Sequence, residues 1–226
     1  MAMIRPKALI AWSGGKDCAY ALHVARRAGM SDIVGALTTV TEPFDRVSVH
    51  GVRKELLRAQ LAAAGLQPVI VRIPYPCPND AYEQAMAAAM TQARAEGITH
   101  IVFGDLYLAD IRAYREQKLA GTGIAPVFPL WGRPTDALAR EMIAAGLQAT
   151  VVTVDLKKLP AGFVGRRFDA ALLADLPQGV DPCGENGEFH SFVTAGPMLA
   201  RRIAVRTGET VARDGQAYID LLPDRR

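Results

Sequence analysis

Blocks of apolar and polar residues change period along the first half of the chain. Residues 8–12 are a continuous apolar run closed by Ser13-Gly14-Gly15, which predicts a strand buried on both faces and ended by a tight turn. From Asp17 onward Ala21, Leu22, Ala25 and Ala28 recur at helical spacing, and Gly29 supplies the stop. Residues 33–39 read as a second strand. A second helix over 50–64 carries Val52, Leu56, Leu57, Leu61 and Ala64 on one face and stops at Gly65. A third strand over 69–73 ends at Pro74, an Ala-rich helix runs from Asp80 to about Glu96, and a fourth strand over 100–103 ends in Gly104-Asp105.

Strands without a polar face, alternating with helices, predict an α/β fold: a Rossmann-like parallel sheet with helices on both faces. Right-handed crossovers collect the strand C-termini on one edge, where such folds bind ligands. The Ser13–Asp17 turn and Gly104-Asp105 are therefore expected to face one crevice. Beyond Asp110 the texture changes. A charged helix over 110–120 is followed by Gly121-Thr122-Gly123 and by Pro126-Val127-Phe128-Pro129-Leu130-Trp131, read as a rigid hydrophobic joint. Helices over 134–145 and 168–176, strands over 149–154, 202–207 and 216–222, and an Asp214-Gly215 turn complete the pattern. The expected division is a unit over 1–125 and a smaller α+β unit over 126–226.

Composition narrows the class without naming a chemistry. Of 226 residues, 50% are hydrophobic and 22% charged, which excludes wholesale disorder and a collagen-like repeat. The formal net charge of +3 is spread over isolated pairs such as Arg26-Arg27 and Arg201-Arg202, which permits an anionic ligand but argues against a nucleic-acid partner. Cys18, Cys77 and Cys183 are far apart, with no C-x-x-C and no histidine at zinc-ligand spacing, as expected of a reduced, cytoplasmic chain. The apolar run near the N-terminus is too short for a signal peptide or for the ~20 residues of a membrane span, so no membrane partner is expected.

The most informative stretch is Ser13-Gly14-Gly15-Lys16-Asp17. Two glycines between a strand and a helix let several backbone N–H groups converge on an anion, and the helix adds its positive end. Ser13 supplies a hydroxyl and Lys16 a cation, while Asp17 either caps the helix or helps hold Mg²⁺. The spacing fits neither G-x-x-x-x-G-K-[ST] nor G-x-G-x-x-G. A plain glycine turn with an Asp N-cap is the structural alternative. Further on, Glu185 and Glu188 flank Asn186-Gly187, and glycines let such a loop curl until both carboxylates meet at one point. There they would hold an ammonium ion, Mg²⁺ or a cationic substrate group, or act as a base; a solvated connecting loop is the alternative.

Taken together these residues resemble the PP-loop ATP pyrophosphatases of the adenine nucleotide alpha hydrolase superfamily, whose signature reads SGGKD, with Cys18 in place of the usual serine. In order along the chain, Gly104-Asp105, then Arg112, Tyr114 and Glu116, then Pro129-Leu130-Trp131, then Gly184 to Phe189 resemble the diphthine–ammonia ligase family. Asn186 replaces an inner glycine of that family's signature, and His190-Ser191 replaces Glu-Thr. The resemblance implies an ATP-dependent amide ligase that forms AMP and pyrophosphate, using ATP, Mg²⁺, ammonia and a carboxylate, either protein-borne diphthine or a small molecule. It implies catalytic roles for Lys16, Asp17, Asp105, Glu185 and Glu188. It places ATP on Ser13, Gly14, Gly15, Lys16, Asp17 and Gly104, with adenine near Leu37 and Thr38 and metal on Asp17 and Asp105. Substrate contacts are expected from His50, Arg112, Glu116, Asn186 and His190. For Asp105 a helix-capping role is the rival, for Arg112 and Glu116 a surface pair four residues apart, and for His50 and His190 an ordinary structural histidine. Cys18 reads as packing rather than a thiol catalyst. A tRNA-modifying PP-loop enzyme and a non-catalytic adenine-nucleotide-binding module are the rival functions; the sequence leaves the assembly state open, a homodimer included.

Overall fold

The computed structural model describes residues 5–44, 46–48 and 51–224. The first sheet contains β1 (Lys7–Ala11), β2 (Asp32–Thr41), β3 (Arg46–Val47), β4 (Gln67–Ile73), β5 (His100–Val102) and β6 (Ala125–Val127). β2 runs parallel to β1 on one side and β4 on the other, and β5 runs parallel to β1 and β6. β3 pairs antiparallel with Val40 and Thr41, beyond the last β1 partner, Leu37. The chain thus builds outward from β1 through β2 to β4, then crosses to the other side of β1 for β5 and β6. That reversal puts a topological switch point between β1 and β5, where connections leave in opposite directions and open a crevice at the strand C-termini.

The helices are α1 (Lys16–Arg27), α2 (Lys54–Ala64), α3 (Asn79–Ala95), α4 (Ala109–Leu119), α5 (Thr135–Ala144) and α6 (Ala170–Asp175). Strand side chains alternate between the faces of the sheet. On one face Ala8, Ile10, Ala36 and Val40 pack with Ala21 and Leu22 of α1 and Leu57 and Leu61 of α2. On the other, Leu9, Leu37, Val71 and Ile101 pack with Met90 and Ala93 of α3 and Leu119 of α4. Continuous apolar strands are what two covered faces require.

A second, antiparallel sheet follows, ordered β8-β7-β10-β9, from β7 (Gln148–Asp155), β8 (Phe189–Ala195), β9 (Val205–Arg213) and β10 (Gln216–Pro223). Asp214 (φ 55°) and Gly215 (φ 77°) close the β9–β10 hairpin, where two left-handed residues match the twist of the flanking strands. Val151, Phe192, Val193 and Leu221 of this sheet join the same apolar cluster as α1 and α2. At its rim Asp220 of β10 accepts bonds from Arg53 Nη2 at 2.6 Å and Arg46 Nη1 at 3.0 Å, tying β3 and the start of α2 to the second sheet.

Four details depart from the sequence reading. Residues 125–127 form edge strand β6, so the boundary expected at 125/126 falls inside a strand; Pro126 is tolerated there because an edge strand leaves one row of backbone groups unpaired. Strand β8, which the pattern did not predict, begins at Phe189, directly after Glu188. The second helix starts at Lys54 rather than near residue 50, since Arg53 is extended (φ −62°, ψ 138°) and bridges to Arg46. The strand expected over 202–207 runs later, as β9.

Candidate active site

The Ser13–Gly15 turn leaves β1 and enters α1 at the switch point, while Gly104 leaves β5 directly beside it. Gly14 has φ +84°, a conformation that strains any residue with a Cβ. Gly15 is the N-cap, and no side chain caps α1. Asp17 instead lies in the first turn, where its charge favours the helix dipole, and its Oδ2 is bonded at 2.8 Å to Lys16 Nζ. The capping role considered for Asp17 therefore falls to Gly15.

Lys16 is only 2% exposed. Its Nζ donates to Asp17 and to the Cys183 carbonyl and lies 5.6 Å from the ring centre of Phe168 and 5.1 Å from that of Phe189. Burial opposes the charge, but Asp17 beside it and Glu185 farther off outweigh that, so its pKa is raised above the ordinary lysine value. Lys16 thus pins the glycine loop to the 181–188 loop. Desolvation lifts the Asp17 carboxyl above its usual range despite the pull of Lys16, and Asp17 Oδ1 is a buried oxygen without a hydrogen-bond partner.

Strand β8 completes the loop's setting. Lys16 N–H donates to Ser191 Oγ at 3.1 Å, and Val193 N–H donates to the Gly14 carbonyl at 3.0 Å. Gly15 N–H reaches only Ser13 Oγ, at 3.4 Å, longer than a normal bond. Cys18 Sγ donates to the Gly15 carbonyl at 3.1 Å, and burial pushes its thiol up, so a thiolate nucleophile at Cys18 is disfavoured.

A cleft of about 1100 Å³ opens from this loop across the strand ends toward α3 and α4. Of the residues singled out in the sequence, Ser13, Gly15, Lys16, Asp17 and Cys18 line it, as do Leu37, Gly104, Asp105, Glu185 and His190. Thr38 does not: its buried hydroxyl donates at 2.8 Å to the Trp12 carbonyl, and its neighbour Thr39 faces the cleft with Leu37, as the two-residue period of a strand demands.

Glu185 lines the cleft, with Oε1 accepting from Leu106 N–H at 2.8 Å and Tyr107 N–H at 3.4 Å. Desolvation first, opposed by those bonds and reinforced by Asp17 and Asp105, raises its pKa to about 7. The expected convergence of two carboxylates is not found. Gly184 turns the chain with φ +69°, where a Cβ would lie 2.9 Å from the Phe189 carbonyl, and Glu188 is buried away from the cleft. Glu188 Oε1 accepts from Asp181 N–H at 3.2 Å and Asn186 Nδ2 at 3.0 Å, leaving Oε2 without a partner. Exposed Asn186 braces Glu188 instead of lining the cleft. His190 is largely desolvated, which lowers its pKa to about 4 and keeps it neutral.

Asp105 lines the cleft with both oxygens engaged by Arg115, at 2.6 and 2.9 Å. Arg112 and Glu116 pair with each other at 2.8 Å on the surface, and the Arg112 guanidinium lies over the Phe128 and Trp131 rings. Neither lines the cleft. His50 lies outside the described residues. Among the described residues no three His, Cys, Asp or Glu side chains are grouped to hold a metal ion, so the expected Asp17–Asp105 pair does not make a ligand set by itself.

The sequence assigned no role to Ser191, Gln60 or Arg115. Gln60 had a legible signal: it falls on the apolar stripe of α2 with Leu56, Leu57, Leu61 and Ala64, where a polar residue must have a buried partner.

Residues 134–222 match the family model for the diphthamide synthase C-terminal domain. Relatives include a diphthine–ammonia ligase of Homo sapiens, 28% identical over 148 residues, and one of Rattus norvegicus, 27% identical over the same length; each match covers 63% of this chain and 55% of the relative. One of Danio rerio is 32% identical over 117 residues, covering 49% of this chain and 46% of the relative. The chain spans about half the length of the curated relatives it matches. The chain is thus similar to the diphthamide synthase C-terminal domain over residues 134–222 and, over about half of their length, to curated diphthine–ammonia ligases.

Proposed function

We propose that the protein is an ATP-dependent ligase that adenylates a carboxylate, releases pyrophosphate and aminates the acyl-adenylate with ammonia. The observation that carries this reading is the convergence of the glycine loop and Glu185 on one cleft at the switch point of the sheet. ATP would place its β- and γ-phosphates at Gly15 N–H, the Ser13 and Ser191 hydroxyls and the start of α1, with adenine toward Leu37 and Thr39. Buried Lys16 adds positive potential beneath the loop, strengthened by the low-dielectric surroundings.

A substrate carboxylate oxygen attacks the α-phosphorus and the bond to the β-phosphate oxygen breaks, giving an acyl-adenylate and pyrophosphate. Ammonia then attacks the acyl carbon, AMP departs, and the excess proton passes to Glu185. A carboxyl group with a pKa near 7 is suited to that transfer at neutral pH. Activation is needed because a free carboxylate is a poor acyl donor.

Magnesium fits here as an ion carried on the nucleotide. It commonly takes one or two carboxylates plus phosphate oxygens and water, and Asp17 Oδ1 is a buried oxygen without a partner. Asp17 would hold it, and the ion would neutralise charge on the departing pyrophosphate. Asp105 would join only by giving up Arg115. The relatives' name points to diphthine as the carboxylate, with a small-molecule acid as the alternative.

The test is product analysis with labelled ATP, ammonium and a diphthine-bearing protein. AMP, pyrophosphate and an amide in equal amounts are expected. ADP and inorganic phosphate would refute the scheme.

A further inference from the structure

Gln60 is fully buried in α2, yet its amide is not idle packing. Its Nε2 donates to the Gly14 carbonyl at 3.1 Å and to the Val193 carbonyl at 2.6 Å, while Oε1 accepts from Trp12 Nε1 at 3.2 Å. One side chain therefore joins the end of β1, the glycine loop and β8, through three uncharged partners. The Gly14 carbonyl accepts a second bond from Val193 N–H at 3.0 Å. In a trans peptide the C=O and N–H of one unit point in opposite directions. Holding the Gly14 carbonyl toward β8 thus directs the Gly15 N–H the other way, and Gly15 is the half of that peptide that lines the cleft. The fit is close: a Cβ on Gly14 would stand 2.8 Å from Gln60 Oε1.

We propose that Gln60 is a positioning residue of the nucleotide loop, fixing the Gly14–Gly15 peptide so that its N–H meets the phosphate chain of ATP. This rests on the nucleotide reading above. Without the amide the Gly14 carbonyl is held by the Val193 N–H alone, so the peptide is less firmly fixed and binding phosphate would have to restore part of its orientation. The amide of Gln60 touches the loop from behind, so its loss should weaken phosphate binding and leave adenosine binding alone.

The experiment is calorimetric titration of the full chain with ATP, inorganic pyrophosphate and adenosine, for wild type, Gln60→Glu and Gln60→Asn, between pH 6 and pH 9. Gln60→Glu keeps the shape but, once ionised, offers no proton to either carbonyl. At pH 9 its affinity for ATP and pyrophosphate should fall roughly ten- to thirtyfold relative to wild type at the same pH. Protonation at pH 6 restores one donor, so the ratio should recover to within about threefold. Gln60→Asn, too short to reach both carbonyls, should lose about tenfold at every pH; it decides the matter if Gln60→Glu does not fold. Adenosine affinity should be unchanged throughout. Wild-type pyrophosphate binding by folded variants, or an equal loss for adenosine, overturns the role of Gln60 alone. Absence of ATP binding by the wild type overturns the nucleotide reading and this inference with it.

Discussion

Gly104→Ala isolates the contact between the two halves of the switch point. The added Cβ would stand 2.8 Å from Asp17 C and Cys18 N and 3.0 Å from Asp17 O, all backbone atoms at the start of α1. Ordinary contact begins at 3.4 Å, so β5 and α1 must separate by roughly half an ångström. Overpacking of this kind costs about 1–3 kcal/mol, or a fall in Tm of about 2–12 °C for a chain of this size. The same displacement moves the loop relative to Asp105 and Glu185. Since about 1 Å of misplacement costs about a hundredfold in rate, AMP formation should drop about tenfold. Gly162→Ala is the control, because a Cβ there meets no atom within 4 Å; its stability should stay within about 0.5 kcal/mol of wild type. Thermal melts followed by circular dichroism and a coupled pyrophosphate-release assay give both numbers. Gly104→Ala with wild-type Tm and turnover, or an equal loss in Gly162→Ala, would refute the packing argument.

Two further expectations follow from ionisation. With the Glu185 pKa raised to about 7, the basic form accumulates as pH rises, so kcat/KM should climb between about pH 6 and 8 and then level off. Glu185→Gln should lower the rate about 10²- to 10³-fold and flatten that climb, and an unchanged slope in the variant would remove Glu185 as the base. At Asp220, burial pushes the carboxyl up, but Arg53 and Arg46 outweigh it and hold the folded pKa below the ordinary value. Its stabilisation is therefore fully present above the unfolded pKa of about 3.9 and is lost as pH falls through the folded value. With Asp220 23% exposed, Asp220→Asn should cost only about 1 kcal/mol in urea unfolding at pH 7, a difference that closes toward pH 3; a pH-independent difference would count against the ion cluster.

Much of the first sheet was readable because β1, β2 and β5 are apolar on both faces and α1, α2 and α3 are each followed by a glycine. The Ser13–Asp17 loop was readable for the same reason: an apolar run, two glycines and a helical period define strand, turn and helix. Strand β8 escaped because buried Ser191 and Thr194 interrupt its apolar pattern; Ser191 is there to meet Lys16 N–H. The 181–188 loop named the right residues without their directions. Two glutamates around Asn186-Gly187 look equivalent in sequence, yet the left-handed turns at Gly184 and Gly187 send one into the cleft and the other into the protein. Partner choice was equally hidden on α4. Arg112, Arg115 and Glu116 are alike as a charge pattern, and only packing against Phe103 and Asp105 draws Arg115 into the cleft.

The central claim is that the outer phosphates of ATP lie on the Gly14–Lys16 loop while the bond to be broken faces Glu185. A crystal structure with α,β-methylene-ATP, which cannot be cleaved at that bond, tests it most directly. The account predicts β- and γ-phosphate oxygens within hydrogen-bond distance of Gly15 N–H and the Ser13 hydroxyl, with adenine beside Leu37. An analogue seated elsewhere, with that loop in no contact with phosphate, would contradict it.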